Sequence, residues 1–360
     1  MNKASIPAAE PDASLLAQSP PLIDAGQAAE IARDIYGVEG EFKLLSSERD
    51  ANFHIRLSDG GQALLKITNG AEDRAVTEMQ TMALTHLAAV DPSLPVQRIH
   101  PTRAGADWAV VTSRSGERHV ARLMSWLEGH MLHAAQPGTG LDRAMGDLLA
   151  RLARGLRGFF HAAGGHFLQW DIKHAGRLRP MLDAVEDAAL HRRLTALLDR
   201  FEAEIAPRLP ALRAQIVHND LNPHNLLVDA PLATRPTGVI DFGDMVFTPL
   251  VCDLAIACSY PVGTGEGGIG RLAEMVAGYA AVTPLEDEEL ALLPDLIRLR
   301  HATTLTIAAW RARRYPENAP YILRNTYAAR RGLAVLDEAG PEKTAQALRA
   351  AARDNKETAR

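Results

Sequence analysis

Val217-His218-Asn219-Asp220-Leu221-Asn222-Pro223-His224-Asn225, followed by Val239-Ile240-Asp241-Phe242-Gly243-Asp244, is the stretch that decides the fold. Leu226-Leu227-Val228 and Gly238-Val239-Ile240 are short apolar runs split by a loop holding Pro231 and Pro236, and they read as a β-hairpin. Such a hairpin returns Asp241, at the end of its second strand, to Asn225, at the start of its first. Asp220 stands on the loop leading in, where Pro223 fixes the backbone. Three oxygen-bearing side chains, five and then sixteen residues apart, are thereby expected to converge. Phosphoryl transfer needs such a set: an acceptor for a hydroxyl proton and two oxygen ligands for magnesium. Asn, Asp and Pro are common in loops for turn reasons alone. The complete spacing, joined to Ile240-Asp241-Phe242-Gly243-Asp244, separates this stretch from an ordinary turn.

Working outward, the chain upstream changes period. Asp24 to Tyr36 reads as a helix with Asp24 as its N-cap. Phe42–Leu45, Asn52–Leu57 and Gln62–Ile67 are apolar or alternating runs, and Ser58-Asp59-Gly60-Gly61 has hairpin chemistry. A helix is expected over Glu72–Leu87, with Val76, Met79, Met82, Ala83 and Leu87 on one face. Strands are expected at Trp108–Thr112 and His119–Met124. Ser125–Gly129 reads as a linker, and beyond it the pattern is mostly helical: 139–163, 177–205, 250–259, 269–280, 286–312 and 319–337. The first 20 residues are rich in Ala, Pro and Ser, and the last 20 are polar and Ala-rich, so both ends are expected to be flexible tails, the second with some fraying helix.

The upstream sheet carries a candidate phosphate lysine. Lys66 ends a strand and Glu78 follows twelve residues later on the long helix, the order in which a Lys–Glu pair steadies an ammonium near phosphates. No Gly-x-Gly-x-x-Gly precedes Lys66; Ser46-Ser47-Glu48-Arg49-Asp50-Ala51-Asn52 stands there, offering hydroxyls, Asn52 and Arg49 as donors. The same loop also reads as a plain polar hairpin tip.

Composition bounds the rest. At 360 residues, with 47% hydrophobic and 23% charged residues, the chain is an ordinary globular one large enough for two lobes. A net charge of −5 offers no basic footprint for nucleic acid. No run approaches a membrane span and the N-terminus lacks a signal-peptide core, so a cytoplasmic protein is expected. The two cysteines, Cys252 and Cys258, lie about 240° apart around a helix axis, which disfavours a disulfide or a zinc pair. His130/His133 and His161/His166 have ligand-like gaps but no acidic or cysteine company, and read as ordinary side chains. The composition leaves the oligomeric state open.

Asp220-Leu221-Asn222-Pro223-His224-Asn225 resembles the catalytic loop of the aminoglycoside phosphotransferase and choline kinase-like small-molecule kinases. Ser47–Phe53, Glu78-Met79-Gln80, Trp170-Asp171 and the region from Arg311 to Asn325 resemble the hydroxylysine kinase-like branch. The resemblance spans residues 25–337 and implies a protein kinase-like bilobal α+β fold: a small antiparallel sheet lobe over 21–124, a hinge at 125–129 and a larger, mostly helical lobe over 130–340. It implies Asp220 as catalytic base and Asn225 and Asp241 as magnesium ligands. Lys66, Glu78 and Asn52 are then expected on the phosphates of ATP or GTP. Trp126 and Leu127 fall where the base edge is read, with Leu227 and Ile240 as its apolar floor. His218 and Asp253 look structural, bracing the loop, and Asp244 reads equally as a water-orienting carboxylate or a turn cap. The implied acceptor is a small hydroxylated amine, hydroxylysine-like, with aminoglycoside, homoserine and choline or ethanolamine as alternatives. Trp170, Asp171 and Tyr260 are candidates for its ammonium, and Arg298, Arg300 or Arg311 for a carboxylate. A protein kinase is disfavoured by His218-Asn219-Asp220 in place of His-Arg-Asp and by the missing Gly-rich loop. A catalytically silent nucleotide-binding scaffold would be expected to lack Asp220, Asn225, Asp241 or Lys66, and all four are present.

Overall fold

A computed structural model describes residues 20–47, 49–263 and 267–358; most of the N-terminal stretch read as a tail, and Glu48, lie outside the described residues. The chain divides into two compact units. The first comprises 1–128, 161–166 and 238–243, and the second comprises the remainder.

In the first unit, α1 (Ala25–Ile31) starts where expected, with the Asp24 side chain accepting from the Gln27 amide at 2.8 Å, and continues as a wider turn over Ala32–Tyr36. Strands β1 (Gly40–Leu45), β2 (Ala51–Leu57) and β3 (Gln62–Ile67) form an antiparallel meander. After α2 (Arg74–Val90), the strands β4 (Ile99–His100), β5 (Ala109–Thr112) and β6 (Arg118–Ser125) complete a sheet of order β1-β2-β3-β6-β4, with β5 also on β6. Alternation sorts the two faces. Phe53, Ile55, Leu65, Ile67, Ala121 and Leu123 pack against Ala28, Ile31 and Tyr36 of the first helix. Each large apolar side chain so buried contributes about 1.5–3 kcal/mol. The opposite face keeps a register of Asn52 facing Lys66 facing Arg122, and beside it His54, Leu64 and Met124.

In the second unit, two-residue strands β7 (His130–Met131) and β8 (Gln136–Pro137) precede α3 (Leu141–Gly155). The expected single helix over 177–205 is corrected. A 3-10 segment, Ile172–Ala184, holds Pro180 and ends at Val185, and α4 (Ala188–Arg200) restarts with Asp187 accepting from the amides of Ala189 and Leu190. Proline removes a helical donor and Asp offers a new cap, so the chain breaks there. Next come β9 (Ala214–Val217), β10 (Leu226–Val228), β11 (Leu232–Ala233), β12 (Pro236–Val239) and β13 (Val246–Pro249). β10 pairs antiparallel with β7, and β12, which begins in this unit, is its other neighbour.

The helical remainder is α5 (Leu250–Val262), α6 (Gly268–Val282), α7 (Asp287–Arg314), α8 (Ala319–Ile322), α9 (Thr326–Ala339) and α10 (Pro341–Thr358). α3 and α6 meet backbone to backbone at Gly146 and Gly278, where an added Cβ would stand 2.0 Å from the Met275 oxygen and 1.9 Å from the Arg143 oxygen. The expected helix over 319–337 is interrupted at 323–325. The C-terminal flexible tail is also corrected: α10 buries Thr344, Leu348 and Ala352, one helical turn apart, so it packs as an amphipathic element. No described helix is long and apolar enough to cross a membrane.

Candidate active site

The first unit gathers a charged cluster on the open face of its sheet. Lys66 Nζ lies 3.0 Å from Asp50 Oδ2 and 3.4 Å from Asp241 Oδ1. Burial pulls the Lys66 ammonium down, but the carboxylates of Asp241 and Asp50 outweigh it and the group ends above its ordinary value. The expected Lys66–Glu78 pair is corrected: Glu78 sits half-buried on α2 and is not among the partners of Lys66. The α2 helix instead serves Arg122, which is 2% exposed and donates to Gln80 Oε1 at 3.2 Å, Thr81 Oγ1 at 3.4 Å and Thr68 Oγ1 at 3.1 Å. Gln80 in turn donates to the Gly243 carbonyl at 3.5 Å, beside Asp241.

Asp241 adopts a left-handed φ of 59° and accepts from the Gly243 amide at 3.2 Å. Few non-glycine residues hold that conformation, and Asp and Asn are the types that do so most readily. Asn52 Oδ1 is buried without a hydrogen-bond partner. At the end of β6, Trp126 stacks against His54 with ring centroids 4.1 Å apart, and Leu127 is half-buried beside it. Gln62 links His54 to Glu128 by hydrogen bonds. Ile240 belongs to this unit and is half-buried, while Leu227 lies buried in β10 of the second.

The second unit holds a carboxylate among several side-chain donors. Asp220 Oδ2 accepts from Asn222 Nδ2 and from Asn225 Nδ2, each at 2.8 Å. Oδ1 accepts from Arg300 Nη2 at 3.2 Å. Turning its amide nitrogen to Asp220 directs the Asn225 Oδ1 away from that carboxylate. His218 Nδ1 accepts from the Asp220 amide at 3.3 Å, and Asp253 Oδ1 accepts from the Asn219 amide at 2.8 Å, which holds Asn219 at a φ of 64°. The loop is thus braced from both sides. Burial pushes the Asp253 carboxyl up to about 7, with the Asn219 amide pulling the other way.

Arg300 is 4% exposed, donates also to Tyr260 Oη at 3.0 Å and to the Trp170 carbonyl at 3.3 Å, and stands 5.2 Å from the Trp170 ring centre. Asp244 adds negative charge towards Arg300 and Tyr260. Thus Trp170, Tyr260 and Arg300 join Asp220, and three other substrate candidates, Asp171, Arg311 and Arg298, do not. Asp171 is wholly buried, caps Ile172–Ala184, accepts from Thr248 Oγ1 at 2.9 Å and pairs with Lys173, so its carboxylate serves the fold. Arg311 follows Arg300 by three helical turns, about 16 Å along the same axis. Arg298 is tied to Asp337 and the Leu336 carbonyl.

Among the described residues, no three His, Cys, Asp or Glu side chains cluster as a metal cage. Asn225 and Asp241, expected from the sequence as magnesium ligands, each carry a hard side-chain oxygen of the kind magnesium prefers. Cys252 and Cys258 are both buried.

The family model described as the phosphotransferase enzyme family matches residues 41–293, well over half of the chain. The chain belongs to the phosphotransferase enzyme family. It is similar to the hydroxylysine kinase of Danio rerio, 26% identical over 338 residues that cover 90% of this chain and 94% of that one. It is 31% identical over 226 residues to the homoserine kinase of Rhodospirillum rubrum, covering 60% of this chain and 63% of that one. Among solved structures, a microcompartment-associated aminopropanol kinase superposes with a TM-score of 0.64 at 21% identity, covering 90% of this chain and 100% of that one. The amicoumacin kinase hAmiN, in complex with AMP-PNP, Ca²⁺ and Ami, gives 0.62 at 16% identity over 89% of this chain and 95% of that one. These likenesses establish a protein kinase-like α+β fold, and the chain is a small-molecule kinase.

Two residues of this phosphotransferase escaped the sequence reading. Asp50 could have been found by period: it stands two residues before Asn52, on the same side of an extended chain, and Asn52 faces Lys66. Arg122 is a lone charge inside an apolar strand, a pattern that signals a buried, hydrogen-bonded cation.

Proposed function

We propose that this phosphotransferase moves the γ-phosphate of ATP or GTP, with magnesium, to the hydroxyl of a small hydroxy-amino acid of the hydroxylysine type. The observation that carries the reading is the Asp220 carboxylate. Asn222 and Asn225 occupy Oδ2, and Arg300 takes one side of Oδ1. Held by these donors, the carboxylate has a fixed orientation from which to accept a hydroxyl proton. The substrate oxygen then attacks the γ-phosphorus, the bond from that phosphorus to the β–γ bridging oxygen breaks, and the nucleoside diphosphate leaves with both electrons. Asp220 orients the hydroxyl and takes its proton; Lys66 neutralises phosphate charge; Asn52 lies beside it. Asn225 and Asp241 each offer an oxygen to magnesium, which when bound shields the phosphate charge. Trp126 and Leu127 support the base, with Leu227 and Ile240 as apolar contacts. Trp170 and Tyr260, both on Arg300, line the acceptor side of Asp220. Similarity to hydroxylysine and homoserine kinases, both named for hydroxy-amino acids, favours such an acceptor over choline or an aminoglycoside. The test is a coupled assay of nucleoside diphosphate release with hydroxylysine, homoserine, choline, ethanolamine and aminoglycosides, each with ATP and GTP. Hydroxylysine or homoserine should stimulate release, and Asp220→Ala should lower kcat by about 10² to 10⁴-fold with the nucleotide KM nearly intact. Nucleotide binding without stimulation by any hydroxylated compound would support a silent scaffold instead.

A further inference from the structure

We infer that Asp50, on the loop before β2, is the residue that positions Lys66, taking the part that a helix glutamate was expected to play. The inference rests on the proposed phosphate-binding role of Lys66.

Three observations carry it. First, the contact is direct and sheltered: Asp50 Oδ2 is 3.0 Å from Lys66 Nζ, with side-chain exposures of 16% and 13%. Second, Asp50 is itself held. Its Oδ1 accepts from the Asn69 amide at 3.0 Å, and its own amide donates to Ser47 Oγ at 3.3 Å. The Asn69 side chain donates to the Arg49 carbonyl at 3.0 Å, pinning the same loop a second time. A carboxylate fixed by backbone at one oxygen and bonded to an ammonium by the other sets where that ammonium stands. Burial pushes the Asp50 carboxyl up, but the Lys66 charge and the Asn69 amide outweigh it, so it stays ionised and below the ordinary carboxylate range. Third, the place a helix carboxylate would take is differently filled. The polar groups that α2 turns to this cluster are Gln80 and Thr81, and both bond Arg122, the residue facing Lys66 across β3 and β6. A neutral amide suits that cation, while the carboxylate for the lysine comes from the loop.

Two cations, Lys66 and Arg122, and two carboxylates, Asp50 and Asp241, therefore form one half-buried group. Replacing Asp50 leaves Lys66 with Asp241 alone as a carboxylate partner, 3.4 Å away. The ammonium then moves towards Asp241, away from where the strand presents it.

The experiment measures steady-state kinetics with Mg·ATP and Mg·GTP for D50N, D50E, E78Q, K66M and the double variant D50N/K66M, with melting temperatures to confirm folding. D50N should lower kcat/KM for the nucleotide about tenfold, the range for a lost hydrogen bond to a charged group. D50E should recover part of the loss, and E78Q should match the wild type. In the K66M background, D50N should have no further effect, because Asp50 acts through the lysine. A purely structural Asp50 would give additive losses in the double variant and no rescue by D50E, and that result overturns the inference while leaving the role of Lys66 intact. Loss of nucleotide handling in E78Q but not in D50N overturns it equally. If K66M keeps wild-type nucleotide parameters, the reading of Lys66 fails, and the inference falls with it.

Discussion

Arg300→Met tests whether the Asp220 carboxylate owes its orientation to a buried cation. The side chain is 4% exposed and the Asp220 side chain 19%. Methionine keeps the stem's bulk and removes the guanidinium, with its bonds to Asp220 Oδ1 at 3.2 Å, Tyr260 Oη at 3.0 Å and the Trp170 carbonyl at 3.3 Å. Two effects then compete. Losing a positive neighbour makes Asp220 more basic, which would aid proton uptake. Losing the bond frees one carboxylate oxygen, which blurs the direction of the acceptor. In a loose phosphoryl-transfer transition state little proton transfer is needed early, so orientation dominates. A hydrogen bond between charged groups is worth about 1.5–3 kcal/mol, which at about 1.4 kcal/mol per decade predicts a fall in kcat of roughly ten- to a hundredfold. Because Asp220 reaches water, its desolvation penalty is partly relieved, and the stability loss should stay below the 3–5 kcal/mol of a fully buried broken pair. Nucleotide KM should change by less than about twofold, since no phosphate contact is altered. Arg300→Lys should not restore kcat, because a point charge cannot serve three acceptors in the plane of a guanidinium fork. Coupled nucleoside diphosphate release, with both substrates varied, gives all three quantities. A folded Arg300→Met enzyme with kcat within threefold of wild type refutes the reasoning.

Two further predictions concern the fold. His301 is fully buried beside Arg300 and Arg193, and burial with those charges pushes its pKa down to about 3. The folded form keeps it neutral while the unfolded chain protonates it below about pH 6.5, so its contribution is complete above that value and is lost as pH falls towards 3, costing about 2 kcal/mol by pH 5. His224, pushed to about 4 by burial, His133 and Arg324, adds in the same direction. Urea unfolding at pH 7 and pH 5 should show this loss, reduced in His301→Gln; identical slopes in both proteins would count against it. Gly146→Ala places a methyl 2.0 Å from the Met275 carbonyl, so the α3–α6 contact must open, at about 3 kcal/mol. Gly270→Ala on α6, where an added Cβ meets nothing within 4 Å, should be neutral or stabilising by up to about 1 kcal/mol. Equal melting temperatures for the two variants would show that the helices do not depend on that approach.

The elements and loops that follow local rules were legible in the sequence: strand alternation gave β2, β3 and β6 nearly to the residue, and Asp220, Asn222 and Asn225 bond within one short loop as their spacing implies. Errors arose wherever a residue's partner is chosen by tertiary packing. A lysine at a strand end specifies that a carboxylate is needed, and Glu78 and Asp50 both satisfy that from sequence. Only the turn that brings Asn69 under Asp50 decides between them. Asp171 looked like a free carboxylate beside a tryptophan, yet a cap position with Thr248 and Lys173 buries it completely. The C-terminal helix failed for the opposite reason, since its buried positions are Thr344, Leu348 and Ala352, with one large apolar residue, too weak a stripe to announce a docked face. Buried cations are a third case, visible in the sequence as charges but not in what they bond. Arg122 faces Lys66 across β3 and β6 and Arg300 donates to Asp220, the two groups on which the chemistry is proposed to depend. Removing either cation should therefore disturb the alignment of its neighbour, because each is bonded through side chains around that neighbour.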